Sequence, residues 1–149
     1  ADRDEVPPGT PFREIHYVLI DGVRAAPPAP GEPWSGEDLA AGLRLVQLIR
    51  DRSFANQITV VDVRNHEGRI CPDEPHLSMY AQVDHPDPRL RRPTCIRFGR
   101  FPRAGGDYVV SPQRKLEYLE SYAADHQGRL AGYNEYLDLR YDELHVSVN

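Results

Sequence analysis

The C-terminal stretch constrains the fold most, because its hydrophobic pattern changes phase within a few residues. From Tyr133 to Tyr141, apolar or aromatic residues occupy the odd positions apart from Glu135, and mostly polar residues occupy the even ones. This alternation is typical of a strand with one face on a core. After residues 142 and 143 the phase reverses, and the apolar positions are Leu144, Val146 and Val148. The pattern predicts a bulge or tight turn between two strands, with the last strand at an edge of the sheet.

The composition is that of one globular domain with an acidic balance. The chain has 149 residues, of which 40% are hydrophobic and 28% are charged, and this length is sufficient for a core. The net charge of −5 argues against a nucleic-acid binder. No apolar run approaches the length of a membrane span. Two cysteines, Cys71 and Cys95, are too few for a disulfide framework, so one bridge or two buried thiols both fit the sequence.

The order of the predicted elements defines the fold class. Prolines among charged residues predict a flexible lead-in over residues 1–14, followed by a single domain over residues 15–149. Ser35 is the predicted N-cap of a first helix, and Ser111 is the predicted N-cap of a second. Strands are predicted at residues 15–20, 56–63, 76–83, 94–100, 108–110 and in the C-terminal stretch. The order predicts an α+β domain with a mostly antiparallel sheet, two α-helices packed on it, a C-terminal edge strand and no internal repeat.

The strongest candidate for metal chemistry lies between residues 66 and 85, which contain His66, Cys71, His76 and His85. Their spacing matches no familiar zinc motif, and neighbouring prolines and carboxylates favour a solvated surface loop. Nucleophile elbows, P-loops, dinucleotide-binding turns and zinc-protease helices are absent from the sequence. We therefore expect no enzyme and assign no catalytic residue, cofactor or metal ligand. A metal-binding protein that uses the His66–His85 loop is the alternative hypothesis.

Two segments allow a binding interpretation beside a purely structural one. Residues 99–106 combine glycines with Arg100 and Arg103, and such a loop can cradle an anion. A hairpin loop after a strand is the simpler interpretation of the same residues. The terminal strand could accept an added strand from a partner, in which case backbone pairing would give the affinity. The simpler interpretation is that this strand completes the sheet.

Three segments carry a resemblance to a known family. Residues 136–142 (YLDLRYD) resemble the "(I/V)DLRY(D/P)" signature that closes the extracytoplasmic β domain of the bacterial cell-division proteins FtsQ and DivIB. Residues 95–100 (CIRFGR) are similar to the family's strand that ends in Gly-Arg or Gly-Lys, and residues 115–119 (KLEYL) to its "KL..L" helix. With the compatible helix at Leu39 to Ile49 and the strand at Ile58 to Val63, the resemblance covers residues 15–148.

The resemblance implies a non-enzymatic scaffold of the division machinery that needs no cofactor. In the family, the last strand of the β domain binds a short segment of FtsB, itself coiled with FtsL, by strand addition. A basic residue at the end of an earlier strand assists. Carried over to this sequence, the implied partner-binding residues are Tyr141, Asp142, Glu143, Leu144, His145, Val146, Ser147 and Arg64. The same fold with a different protein partner is the alternative hypothesis.

The resemblance also implies a location on the extracytoplasmic (periplasmic) side of the bacterial inner membrane. Family members carry a cytoplasmic tail, one transmembrane helix and a POTRA domain before the β domain. None of these is visible in the sequence, so we expect a fragment or truncated relative of a membrane-anchored protein. The loop between residues 68 and 93 is also longer than the family pattern.

Overall fold

The computed structural model describes residues 16–105 and 108–148. Its main elements are β1 (Leu19–Asp21), α1 (Glu37–Ile49), β2 (Ile58–Asp62), β3 (Leu77–Ala81), β4 (Thr94–Gly99), α2 (Pro112–Asp125), β5 (Tyr136–Asp138) and β6 (His145–Val146). Short 3-10 helices lie at Ala55–Gln57, His66–Gly68 and Pro88–Arg91. The predicted lead-in of residues 1–14 lies outside the described residues.

The strands of the described chain form one mixed sheet in the order β1-β2-β3-β4-β5-β6. β1 runs parallel to β2, and β4 runs parallel to β5. The three remaining neighbouring pairs are antiparallel. The predicted fold class is therefore confirmed: the domain is α+β, its sheet is mostly but not purely antiparallel, and the last strand lies at an edge.

One face of the sheet carries the hydrophobic core. Successive side chains of a strand point to opposite faces, and the register places Val61, Met79, Ile96 and Leu137 in one row across β2 to β5. All four are fully buried, and burial of side chains of this size contributes about 1.5–3 kcal/mol each. Buried residues from both helices complete the same cluster: Leu45, Ile49, Leu116, Leu119 and Tyr122.

The structure contains a repeat that the sequence analysis did not detect. The units β1-α1-β2 and β4-α2-β5 each consist of two parallel strands joined through a helix. A glycine with a left-handed φ follows β1 (Gly22, +91°) or ends β4 (Gly99, +90°). Asp62 and Asp138, the last residues of β2 and β5, each begin an Asp-x-Arg sequence. The sequence shows no internal repeat, because the two units share a backbone plan and only these few side chains.

The start of α1 differs from the prediction. Ser35 is not its N-cap, since Gly36 occupies that position with a φ of +123° and no side chain caps the helix. Asp38, within the first turn, is buried instead and accepts hydrogen bonds from the Arg24 backbone N–H (2.8 Å) and the Arg69 guanidinium (3.0 Å). A tertiary ion pair therefore holds the polar start of this helix where local capping was expected.

The start of α2 matches the prediction. The Ser111 hydroxyl accepts a hydrogen bond from the Arg114 N–H at 3.2 Å, and Pro112 takes the first helical position. The helix ends at Asp125, and the N–H of Gly128 closes the following turn on the Ala123 carbonyl at 2.7 Å.

Two predicted strands differ from the structure. Residues 108–110 form no strand, because β4 is already flanked by β3 and β5 and offers no free edge to the chain that follows it. The strand predicted at residues 15–20 begins only at Leu19. His16 instead lies beside the end of the sheet, where its ring nitrogen is 2.7 Å from the Ile58 carbonyl.

Candidate partner-binding edge

The phase slip in the C-terminal sequence is a turn between β5 and β6. Leu137 pairs with Val146 and Asp138 pairs with His145, so residues 139–144 connect the two strands. The predicted turn is confirmed, and Asp142 and Glu143 are exposed within it. The change in hydrophobic phase is therefore the sequence signature of the chain reversal.

The backbone of β6 presents hydrogen-bonding groups to the open edge of the sheet. The Ser147 N–H donates to the Tyr136 carbonyl at 3.1 Å, so Ser147 faces β5. In an antiparallel ladder, neighbouring residues direct their backbone groups to opposite sides of the strand. His145 therefore also faces β5, whereas the N–H and C=O of Val146 point away from it. No strand of the described chain lies on that side of β6.

Exposed apolar and aromatic side chains surround this edge. Val146 is 43% exposed, Val148 is 98% exposed and Tyr141 is 44% exposed. The Tyr141 ring stacks on the His145 ring with centroids 4.5 Å apart. A stacked pair beside an unpaired backbone presents both a hydrophobic surface and hydrogen-bonding groups to a partner chain.

Helix α2 fixes the turn that precedes β6. The Tyr118 hydroxyl donates to the Tyr141 carbonyl at 2.8 Å, and the Arg114 guanidinium donates to the Asp142 carbonyl at 2.8 Å. Arg114 also donates from Nε to the Tyr118 hydroxyl at 3.0 Å. The turn is thereby held on a helix, and β6 is presented in one orientation.

Asp138 and Arg140 stabilise the hairpin from the face of the sheet that the core does not occupy. Arg140 donates to the buried Asp138 carboxylate from Nε (2.9 Å) and from Nη2 (2.7 Å), and Arg97 lies 3.8 Å away. Burial acts to raise the pKa of Asp138, but the hydrogen bonds and charge of Arg140 outweigh it, so the pKa is lowered. Arg97 also stacks over the Tyr136 ring at 3.7 Å from its centroid.

Leu144 and Ser147 face inward. Leu144 is half-buried against the core. Ser147 is buried, and its hydroxyl accepts hydrogen bonds from the N–H groups of Glu135 (2.8 Å) and Tyr136 (3.1 Å). The Ser147 carbonyl accepts from the Asn134 amide at 3.0 Å. Ser147 therefore attaches β6 to the domain and turns no side chain toward the open edge.

Arg64 is not brought to this edge. It follows β2, and β3, β4 and β5 lie between β2 and β6. Its guanidinium binds the Asp62 carboxylate, with Nη2 2.6 Å from Oδ2. Arg64 and Arg140 line a common cavity of about 460 Å³ on the polar face of the sheet, so they share a face and not an edge.

Lys115, which the sequence analysis did not single out as a site residue, lies buried against the end of β4. Its Nζ donates to the carbonyls of Phe98 (2.5 Å) and Arg100 (3.1 Å). Burial, followed by the charges of Arg100 and Arg140, lowers its pKa to about 8. It is the one lysine of the chain. This was the feature of the sequence that could have pointed to a special role for Lys115.

The loop proposed for metal binding does not gather its candidate ligands. The described residues contain no group of three histidine, cysteine or carboxylate side chains that could hold a metal ion. Cys71 and Cys95 are both free thiols and line the same cavity on the polar face. Burial raises the pKa of the Cys95 thiol.

Comparison of the chain with protein-family models, with curated proteins and with solved structures found no match. Within residues 16–105 and 108–148, no helix is both long enough and apolar enough to cross a membrane.

Proposed function

We propose that this domain is a non-enzymatic scaffold of the bacterial division machinery that binds an FtsB- and FtsL-type partner by strand addition on β6. The observation that carries the proposal is the outward-facing backbone of Val146. It lies on an edge strand whose neighbouring side chains, Tyr141 and Val148, are also exposed. An added strand would pair with this backbone and cover those side chains.

The contacts of the residues that carry the family resemblance support the proposal. The "FG" segment of β4 and the "KL" segment of α2 meet where Lys115 donates to the Phe98 carbonyl. In the DLRY stretch, Leu137 and Leu139 enter the core and Asp138 binds Arg140. The three sequence segments that carry the resemblance therefore all lie in the part of the domain formed by β4, α2, β5 and β6.

In the proposed strand addition, the two faces of the added strand would lie beside different side chains. Val146 shares the core-side face of its pairing partner Leu137, so a partner residue beside it should be apolar. His145 shares the polar face with Asp138, where Tyr141 stacks on it. In line with the resemblance, the domain would act on the periplasmic side of the inner membrane, as part of a membrane-anchored protein.

Replacement of Val146 by proline tests the mode of binding. Proline removes the N–H that faces the open edge, and sheet edges tolerate proline where that N–H faces solvent. We expect binding of purified FtsB and FtsL extracytoplasmic segments, encoded in the same genome, to fall by at least about tenfold in calorimetric titration. Val146→Ala, which keeps the N–H, is the matched control and should retain most of the affinity.

The two parts of the proposal fail separately. Absence of binding by the wild-type domain would overturn the assignment to the division machinery. Binding that survives Val146→Pro unchanged, in a variant with a wild-type circular dichroism spectrum, would overturn strand addition at β6.

A further inference from the structure

A second cavity, which shares no lining residue with β6, is formed around the arginine-rich loop after β4. Arg100 and Arg103 line it together with Arg44 of α1, and its volume is about 310 Å³. His66 and His76 contribute from the loop between β2 and β3. Three separate chain segments therefore direct cationic or titratable side chains into one concave site.

The backbone around this cavity is shaped by residues in unusual conformations. Gly99, with a φ of +90°, ends β4 and turns the chain into the loop. Glu67, which also lines the cavity, has a φ of +59° although it carries a side chain. A left-handed non-glycine residue is uncommon and is retained where the surrounding structure fixes it. Arg44 is positioned over the Phe101 ring, with Cζ 4.0 Å from the centroid.

The charges of the cavity oppose the net charge of the chain. Among the described residues, three arginines and one carboxylate, that of Glu67, line it, whereas the whole chain has a net charge of −5. The pKa of His76 is lowered, first by burial and then by the charges of Arg100 and Arg103. The described lining is therefore mostly basic, and a basic lining favours anions over cations.

We propose that this cavity binds the phosphate group of an organic ligand. Guanidinium groups carry five N–H donors in a planar arrangement that matches phosphate oxygens. Part of the remaining wall is apolar and includes Phe101, Ala41 and Leu77, which leaves a surface for the carbon skeleton of the ligand. The site lies outside the β6 edge, so it does not depend on the proposed partner binding.

Titrations with a soluble and a membrane-borne phosphate test the site. The soluble probe is glycerol 3-phosphate, followed by amide NMR shifts at residues 99–101 and 103, with acetate at matched ionic strength for comparison. The membrane probe is sedimentation with vesicles of phosphatidylglycerol and phosphatidylcholine, compared with vesicles of phosphatidylcholine alone. The variant combines Arg44→Gln with Arg103→Gln. The control combines Arg50→Gln with Arg52→Gln, which removes the same charge at residues that line a different cavity.

We expect the cavity variant to bind at least about tenfold more weakly than the control variant. Saturable binding of glycerol 3-phosphate identifies a soluble phosphate ester as the ligand class. Binding confined to phosphatidylglycerol vesicles identifies a lipid headgroup. Either result supports the site if the cavity variant loses it and the control keeps it. Equal responses to acetate and phosphate, equal losses in both variants, or no binding to either probe would overturn the proposal.

Discussion

The two strand-helix-strand units contain the same local device, an Asp-x-Arg ion pair packed on a glycine, in a more exposed and in a more buried environment. In each unit, the Asp-x-Arg arginine lies over the glycine of the parallel neighbouring strand, Arg64 over Gly22 and Arg140 over Gly99. In each, the same arginine donates both its backbone N–H and its guanidinium to the aspartate two residues before it. The device links the carboxyl ends of two parallel strands, and only glycine leaves room for the arginine stem.

The units differ in burial and in the residue that follows the arginine. The side chain of Asp138 is 3% exposed and that of Arg140 is 25% exposed, against 12% and 58% for Asp62 and Arg64. Asn65 follows Arg64, and its amide makes five hydrogen bonds that order the loop up to residue 75. Tyr141 follows Arg140 and is exposed at the turn before β6.

This difference distinguishes the residues of the DLRY stretch that build the fold from the residue that the proposed function assigns to partner binding. Because the Asp-x-Arg device also occurs at β2, in the interior of the sheet, its presence at β5 does not require a binding partner. The residues specific to the second unit begin at Tyr141. Under the proposed function, the partner-binding surface therefore consists of Tyr141 and the outward groups of Val146.

The replacement of Gly22 by alanine should have the largest effect on the free energy of unfolding. Its Cβ would lie 2.0 Å from Arg64 Cγ and 2.8 Å from the Arg64 backbone nitrogen, at a φ of +91°. The backbone conformation and the clash together should lower the free energy of unfolding by about 3–4 kcal/mol. At Gly99 the nearest atoms, Arg140 Cγ (2.9 Å) and Lys115 Nζ (3.3 Å), belong to side chains and not to the backbone, so alanine should cost less, about 1–2 kcal/mol. Urea denaturation of both variants measures the difference, and equal losses would contradict the proposed role of the Arg64 backbone.

Replacement of the two aspartates should destabilise the second unit more than the first, which is the reverse of the order expected for the two glycines. Asp138→Ala leaves Arg140 and Arg97 without a carboxylate in a mostly buried site, so we expect a loss of about 3 kcal/mol. Asp62→Ala removes a partner from a largely exposed arginine and should cost about 0–1 kcal/mol. The same denaturation experiment decides the point, because comparable losses would show that burial does not distinguish the two pairs.

Local sequence signals predicted much of this fold but not its repeat. The start of α2 at Ser111 and the turn before β6 followed from capping chemistry and hydrophobic phase, which act between near neighbours. The buried Asp38 and Lys115 were not predicted, because their partners Arg69 and the Phe98 carbonyl are distant in sequence. The Val146 edge was predicted as a strand, but the side on which its N–H lies depends on the register with β5.

Lys115 gives the second unit a pH dependence in the alkaline range. Its folded-state pKa is about 8, below the ordinary value of 10.5, so between these values the unfolded chain binds more protons than the folded one. Stability therefore rises with pH across this window. We expect the wild type to gain about 2 kcal/mol relative to Lys115→Met between about pH 7.5 and about pH 10.

The comparison with Lys115→Met isolates this effect from other groups. Burial raises the pKa of Tyr122 to about 12, which favours the unfolded state above its ordinary value of 10.0, but Tyr122 is present in both proteins. Denaturation midpoints at several pH values provide the measurement. Parallel pH profiles for wild type and Lys115→Met would show that the lysine keeps its ordinary pKa.

Tyr141→Ala should have the smallest effect on stability and the clearest effect on binding. The Tyr141 ring stacks on His145 at the surface, and its anchoring contact with Tyr118 uses the backbone carbonyl, which alanine retains. We expect a stability loss below about 1 kcal/mol, together with at least about tenfold weaker binding of the FtsB and FtsL segments. Asn65→Ala, at the matching position of the first unit, should lower stability by about 2 kcal/mol and leave binding unchanged. If Asn65→Ala weakens binding as much as Tyr141→Ala does, the surface extends beyond the β6 edge, and the separation between architecture and recognition fails.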